Sequence, residues 1–220
     1  MTERNGKMKV LITGFTPFGG ESTNPAYEAV KRLPNQIEGI EVVKEEVPTE
    51  FHKSIRTLDQ LMQREMPDVV ICVGQAGGRP NMSIERVAIN VDDARIPDNG
   101  GNQPVDMPIV ENAPVAYFSS LPIKAITEAI RNQGIPASVS NSAGTYVCNH
   151  IMYGLLNLID TKYQGVKGGF IHVPFSEEQV IDKPTMPCMN LQTIAKALEI
   201  AVKIACEVNV DVKRSEGTIC

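Results

Sequence analysis

Apolar positions recur along this chain with two spacings. Short β-branched runs bounded by Gly, Pro or Asn predict strands at Lys9–Thr13 (KVLIT), Ile40–Val47 (IEVVKEEV), Asp68–Gly74 (DVVICVG), Ala137–Ser140 and Gly168–Val173 (GGFIHV). The DVVICVG run is continuous rather than alternating, the mark of a strand covered on both faces, and this makes Cys72 a buried structural residue. Helical spacing fills the intervals. Asn24 caps a helix that has Pro25 in its first turn. Pro48-Thr49-Glu50 caps a second helix through Ile55, Leu58, Leu61 and Met62 that ends before Pro67. Pro122–Asn132 buries Ile123, Ile126, Ala129 and Ile130 and stops at Gly134, and Val147–Lys162 and Met189–Glu207 follow. Ser83–Val91 reads as one further extended segment, and Asp92–Ala113 as a long polar loop of the functional or partly mobile kind. The order β-α-β-α-β-β-loop-α-β-α-β-α predicts an α/β fold, a three-layer α/β/α sandwich around a mainly parallel twisted sheet. Residues 9–208 form a single domain in this reading, between a polar arm at 1–8 and a polar tail at 209–220.

Composition narrows the partners more than the fold. At 220 residues, 42% hydrophobic and 21% charged, the chain buries a sizeable core without disulfides. A net charge of −5 argues against nucleic acid as a main partner. No apolar run reaches the roughly 18 residues of a transmembrane helix, and MTERNGKMKV has no apolar signal region, so neither membrane nor secretion is expected. Five cysteines, an odd count without a Cys-x-x-Cys pair, fit free thiols in a reducing compartment, with Cys188, Cys206 and Cys220 among them. No metal is expected: Cys148 and His150 are the one close pair, and residues i and i+2 of a helix face different sides.

The chemistry centres on SVSNSAGTYVCNHIMYG, residues 138–154. Here a strand passes through a Gly-containing turn into a helix, with Cys148 at the helix start, where unpaired N–H groups favour a thiolate. A thiol nucleophile needs a base. Of three histidines, His52 reads as a surface residue in the first turn of the second helix, and His150 faces away from Cys148. His172, in FIHVPF at a strand end, is the candidate. In an open α/β sheet the strand C-termini form one rim, which gathers Phe15, Phe18, Gln75, Cys148 and His172. The base needs an orienting acid. Glu85, set among apolar neighbours, is preferred to Asp92 and Asp93, which read as solvated loop residues. The Gly74–Pro80 loop is a weak phosphate-loop match, lacking a following helix and a Gly-Lys-Ser/Thr. Phe15 and Phe18 either plug the core or line a pocket.

GFTPFGG, NPAYEAV, VGQAGGR with Glu85 after it, SNSAGTYVCNHIMYG and FIHVPF together resemble the pyroglutamyl peptidase type I (pyrrolidone carboxyl peptidase) family. The resemblance runs from about Lys9 to Val208. It implies a phosphorylase/hydrolase-like α/β sandwich and a cytoplasmic cysteine exopeptidase that removes N-terminal pyroglutamate, usually a homotetramer, with no cofactor or metal. It also implies Cys148 as nucleophile, His172 as base and Glu85 as orienting acid, with a pocket that includes Thr49, Ile96, Tyr146 and Val147. Phe15 and Phe18 would then wall the lactam ring, and Gln75 would offer a donor and an acceptor. Asn24 stays open between helix cap and ligand. The Cys148 N–H is the natural oxyanion donor, with Arg95 as a second candidate. Two other readings compete: a nucleoside phosphorylase-like enzyme, for which Arg79 is the one basic residue on the Gly-rich loops, and a non-catalytic binder that keeps the pocket.

Overall fold

The structure, a computed structural model, describes residues 6–217; most of the N-terminal arm and Cys220 lie outside them. β1 (Lys9–Phe15), β3 (Ile40–Val47), β4 (Val69–Gln75) and β9 (Lys167–Val173) run parallel at the centre of a seven-stranded sheet, in the order β2-β3-β1-β4-β9-β5-β8. The two-residue β2 (Gln36–Ile37) pairs antiparallel at one edge. Val69–Val73 are wholly buried, as continuous β-branched runs require of a central strand.

Alternation along the strands sorts the core onto two faces. Val10, Ile12, Ile71, Val73, Ile84, Val139 and Ile171 pack against α1 (Pro25–Lys31), α3 (Ile123–Asn132) and α5 (Leu191–Glu207). Leu11, Phe15, Val70, Cys72 and Phe170 pack against α2 (Lys53–Glu65) and α4 (Val147–Thr161). Helix–sheet–helix layering follows.

Four features depart from the sequence reading. β5 (Met82–Glu85) pairs antiparallel to β9 and parallel to β8 (Ala137–Ser140), so β5 and β8 run against the central strands. The C-terminus of β8 therefore points away from the expected rim, and residues 141–146 carry the chain back to it. Ser83–Val91 is not one segment. It breaks at Arg86, whose guanidinium bonds Asn141 and the main chain of Glu216, and β6 (Val87–Ile89) joins β7 (Ala116–Phe118) in a separate ribbon. The cap of α2 lies later than expected: His52, with φ +57°, precedes Lys53, while Thr49 is buried and donates its hydroxyl to the main-chain oxygen of Thr16 at 2.7 Å. The described part of the polar tail, placed outside the domain by the sequence reading, is docked against it. Asp211 accepts from the N–H groups of Lys124 and Ala125, capping α3 where Pro122 offers no side-chain cap.

Candidate active site

The face of the sheet under α4 carries the candidate groups. Gly74 is the cross-strand partner of His172, and a Cβ on Gly74 would lie 2.9 Å from Cys148 Sγ. The space left by the absent side chain thus holds the thiol over the strand position paired with His172. His172 Nδ1 donates to Glu85 Oε1 at 2.7 Å, and Ser83 of the same strand stands opposite His172 in the antiparallel register. Glu85 is 0% exposed and His172 4%. With Nδ1 committed to the carboxylate, Nε2 is the nitrogen left for proton transfer; it has no partner among the described residues.

Burial and charge shift the titratable groups at the site. Burial, then the Glu85 charge, pushes the Cys148 thiol up to about 12, against a lowering by Arg79. Burial alone would raise Glu85; hydrogen bonds from His172 and Ser140 and the charges of His172 and Arg79 hold it below the usual carboxylate range. Cys148 is the second residue of α4, whose N-cap, Tyr146, makes no side-chain cap, so no capping side chain satisfies the N–H groups of the first turn. Cys72, wholly buried in β4, is likewise pushed by burial to about 12.

Aromatic rings stand over the thiol end of α4. Tyr146 lies 6.2 Å from Phe18 and 5.5 Å, edge-on, from Phe51, and its hydroxyl donates to the main-chain oxygen of Pro97. Ile96, half exposed, sits in that same loop beside Pro97. Phe15 is buried against Phe170, and Val147 is buried within the α4 core. Asn24 acts as the cap, accepting from the Ala26 N–H and donating to the main-chain oxygen of Thr16. Gln75 is placed differently from the rest. Strand alternation puts its side chain on the face opposite Gly74, where it accepts from Gln179 at 2.9 Å. Arg95 is exposed on the loop.

Residues 8–208 match the family model described as pyroglutamyl peptidase. The chain belongs to the pyroglutamyl peptidase family. It is 56% identical over 213 residues to the pyrrolidone-carboxylate peptidase of Clostridium botulinum (strain Alaska E43 / Type E3), covering 97% of this chain and 100% of that one. Identity to the Thermosipho africanus pyrrolidone-carboxylate peptidase is 59% over 196 residues, 89% of this chain and 96% of the other. The fold superposes on the crystal structure of pyroglutamyl peptidase I from Bacillus amyloliquefaciens with a TM-score of 0.93 at 50% identity, covering 95% and 100% of the two chains. The pyroglutamyl peptidases are hydrolases that remove N-terminal pyroglutamate, and this chain is one of them. No helix among the described residues is long and apolar enough to cross a membrane.

Sequence reasoning about this family member missed a second set of groups. Asp92 is not solvated: it is 1% exposed and accepts from Nδ1 of the wholly buried His150 at 2.7 Å. Nε2 of His150 accepts from the His52 main-chain N–H, also at 2.7 Å. Asn149 clamps the β6 segment through the main-chain atoms of Ile89 and Val91. Asp98 gathers the N–H groups of Phe51, Gly100 and Asn102 and fixes the long loop over the aromatic wall. Asp-Asn-Gly-Gly-Asn at 98–102 was the available signal, a turn-forming run around one carboxylate. Arg79 is occupied by Glu85 at 2.7 Å, which removes it as a free phosphate ligand and with it the phosphorylase-like reading.

Proposed function

We propose that this pyroglutamyl peptidase works by covalent catalysis, with Cys148 as nucleophile, His172 as general base and acid, and Glu85 as the group that orients and charges His172. The observation that carries the reading is the His172–Glu85 bond of 2.7 Å on the strand pair whose glycine, Gly74, makes room for the thiol. A thiol pushed up by burial stays protonated at rest, so ionisation is coupled to proton transfer onto His172 Nε2.

In the proposed sequence the Cys148 sulfur attacks the pyroglutamyl carbonyl carbon as its proton passes to His172. The negative oxygen of the tetrahedral intermediate is held by first-turn N–H groups of α4, that of Cys148 included. His172 then gives its proton to the departing amine, the C–N bond breaks, and a thioester remains on Cys148. Water attacks the thioester with His172 as base, releasing pyroglutamate and restoring the thiol. The imidazolium formed on the way is stabilised by the Glu85 anion.

Pyroglutamate has no free amine, so its pocket needs apolar walls and few polar groups. Phe18, Tyr146 and Ile96 are assigned as the wall, Phe15, Val147 and Thr49 as its base, and Gln75 as a contributor through its main chain. The assembly we infer is a homotetramer in the cytoplasm, a reading supported by exposed Val115 and Phe118 beside the β6–β7 ribbon and by free thiols at Cys72, Cys148, Cys188 and Cys206. Release of a chromophore from a pyroglutamyl amide tests the mechanism. Cys148→Ala is expected to abolish it with the fold intact, and retained turnover would refute the assignment.

A further inference from the structure

Arg79 enters the site without a role in the chemistry above. It leaves the β4–β5 loop directly after Gly78, whose φ of +88° turns the chain back toward the sheet. Its guanidinium then lies between three segments. Nη1 donates to Glu85 Oε1 at 2.7 Å and to Ser140 Oγ at 3.4 Å, and Nη2 donates to the main-chain oxygen of Ser142 at 3.2 Å. Glu85 Oε1 is the same oxygen that accepts from His172. The other oxygen, Oε2, is buried without a hydrogen-bond partner among the described residues. A carboxylate so buried, with one oxygen unsatisfied, takes up a proton unless a cation lies against it. A protonated Glu85 could no longer stabilise an imidazolium.

We propose that Arg79 is a positioning residue of the hydrolysis: it holds Glu85 as an anion against His172 and ties the Ser140–Ser142 turn, which leads into the Cys148 end of α4, to that pair. The proposal rests on the Cys148–His172–Glu85 reading. Arg79 bonds Glu85, Ser140 and Ser142 and none of the aromatic wall, so it acts on turnover and leaves substrate binding alone. Its charge lowers both the Glu85 carboxyl and the Cys148 thiol. The other titratable groups around the pair are Cys148 from α4, Cys72 from β4 behind it, and Tyr146 at the N-cap of α4.

The sign of the pH effect follows. His172 acts as a base only after the His172–Glu85 pair has lost its proton. Without the Arg79 charge the pair holds that proton more tightly, and the acid limb of kcat/KM moves to higher pH. A residue that only braces the fold would lower activity by one factor at every pH.

The test compares wild type, Arg79→Met, Arg79→Gln, Arg79→Lys, Glu85→Gln and the Arg79→Met/Glu85→Gln double variant on a pyroglutamyl amide across acidic to neutral pH. For Arg79→Met, kcat is expected to fall about 10–100-fold, the weight of one hydrogen bond between charged groups. KM should stay within about twofold. The acid limb rises in Arg79→Met and Arg79→Gln and returns toward wild type in Arg79→Lys. The double variant is no slower than Glu85→Gln alone, because the two side chains act through one path. Should Arg79→Met fail to fold, Arg79→Gln carries the same reading. An unmoved acid limb, a rise in KM with kcat unchanged, or multiplicative losses in the double variant would overturn the proposal. Full activity in Glu85→Gln would overturn the triad reading itself; an impaired Glu85→Gln beside a fully active Arg79→Met would overturn the Arg79 role alone.

Discussion

His172 and His150 each donate Nδ1–H to a buried carboxylate at 2.7 Å, Glu85 in one case and Asp92 in the other. Both rings are at least nine-tenths buried, and both pack edge-on or tilted against a phenylalanine, Phe170 for His172 and Phe51 for His150. They differ at the far nitrogen. His150 Nε2 is taken by the His52 N–H, so this ring joins the start of α2, the long loop and α4 into one frame. His172 Nε2 is unclaimed among the described residues, and the thiol of Cys148 rests at the glycine paired with His172. A histidine–carboxylate pair is thus no mark of catalysis by itself. What separates a structural pair from a proton-transfer pair is whether the distal nitrogen is already bonded and which group stands beside it.

The comparison breaks most readily at the rings. His172→Ala is expected to lower kcat/KM for a pyroglutamyl amide by about 10³-fold per folded molecule, since general-base groups contribute on the order of 10²–10⁴. Both ring deletions open a cavity and leave a buried carboxylate without its donor, at a cost of about 3 kcal/mol in stability, but His150→Ala is expected to retain most turnover per folded molecule. Comparable activity losses in the two variants would erase the distinction.

The carboxylates sharpen it next. Glu85→Gln should reduce kcat about 10–10³-fold by removing the charge that steadies the imidazolium. Asp92→Asn should leave kcat near wild type and cost about 1–3 kcal/mol in urea unfolding. Glu85 also carries a pH signature. Its carboxyl is lowered in the folded state, so its contribution to stability is present above the ordinary carboxylate range and is lost as pH falls through the lowered value. Stability followed down the acid range should therefore fall less steeply in Glu85→Gln than in wild type.

Gly74→Ala has a smaller expected effect. The new Cβ would stand 2.6 Å from the Phe170 ring and 2.9 Å from Cys148 Sγ, so the ring tip and the thiol must shift. A displacement of about 1 Å at a nucleophile lowers turnover by about 10²-fold, and kcat with KM unchanged is the readout. Cys188→Ser is the smallest: an exposed thiol bonded to neither histidine pair, whose loss should leave kcat, KM and the unfolding midpoint at wild-type values.

Local pattern explains which of these features could be read from the sequence. The buried central strand, the caps at Asn24 and Gly134 and the helix start at Cys148 are written in neighbouring residues, and the structure has each of them. Cys148, His172 and Glu85 could be paired because each stands at the end of a recognisable strand or the start of a helix. The His150–Asp92 bond spans 58 positions, and Asp92 lies in a polar loop where solvation is the ordinary fate of a carboxylate. Nothing local signals that it is buried. Arg79 had no role in the sequence reading beyond being the one basic residue on the Gly-rich loops, because only the tertiary path of β5 places Glu85 against it. The antiparallel course of β5 and β8 was hidden for the same reason: strand direction is set by the connections, and residues 86–136 make an excursion through a second ribbon before β8 forms. The early cap proposed at Thr49 failed because that hydroxyl is used by Thr16, a partner 33 positions away.

We propose that His172, and not His150, controls the ionisation of Cys148. Alkylation of Cys148 by iodoacetamide at neutral pH, followed site by site by mass spectrometry, measures that ionisation directly. Cys148 is expected to react faster than Cys72, Cys188 and Cys206; His172→Ala is expected to slow it by about tenfold or more, because the sulfur loses the base that takes its proton as it attacks, and His150→Ala to leave it near the wild-type rate. An unchanged rate in His172→Ala, or an equal loss in both variants, would contradict it.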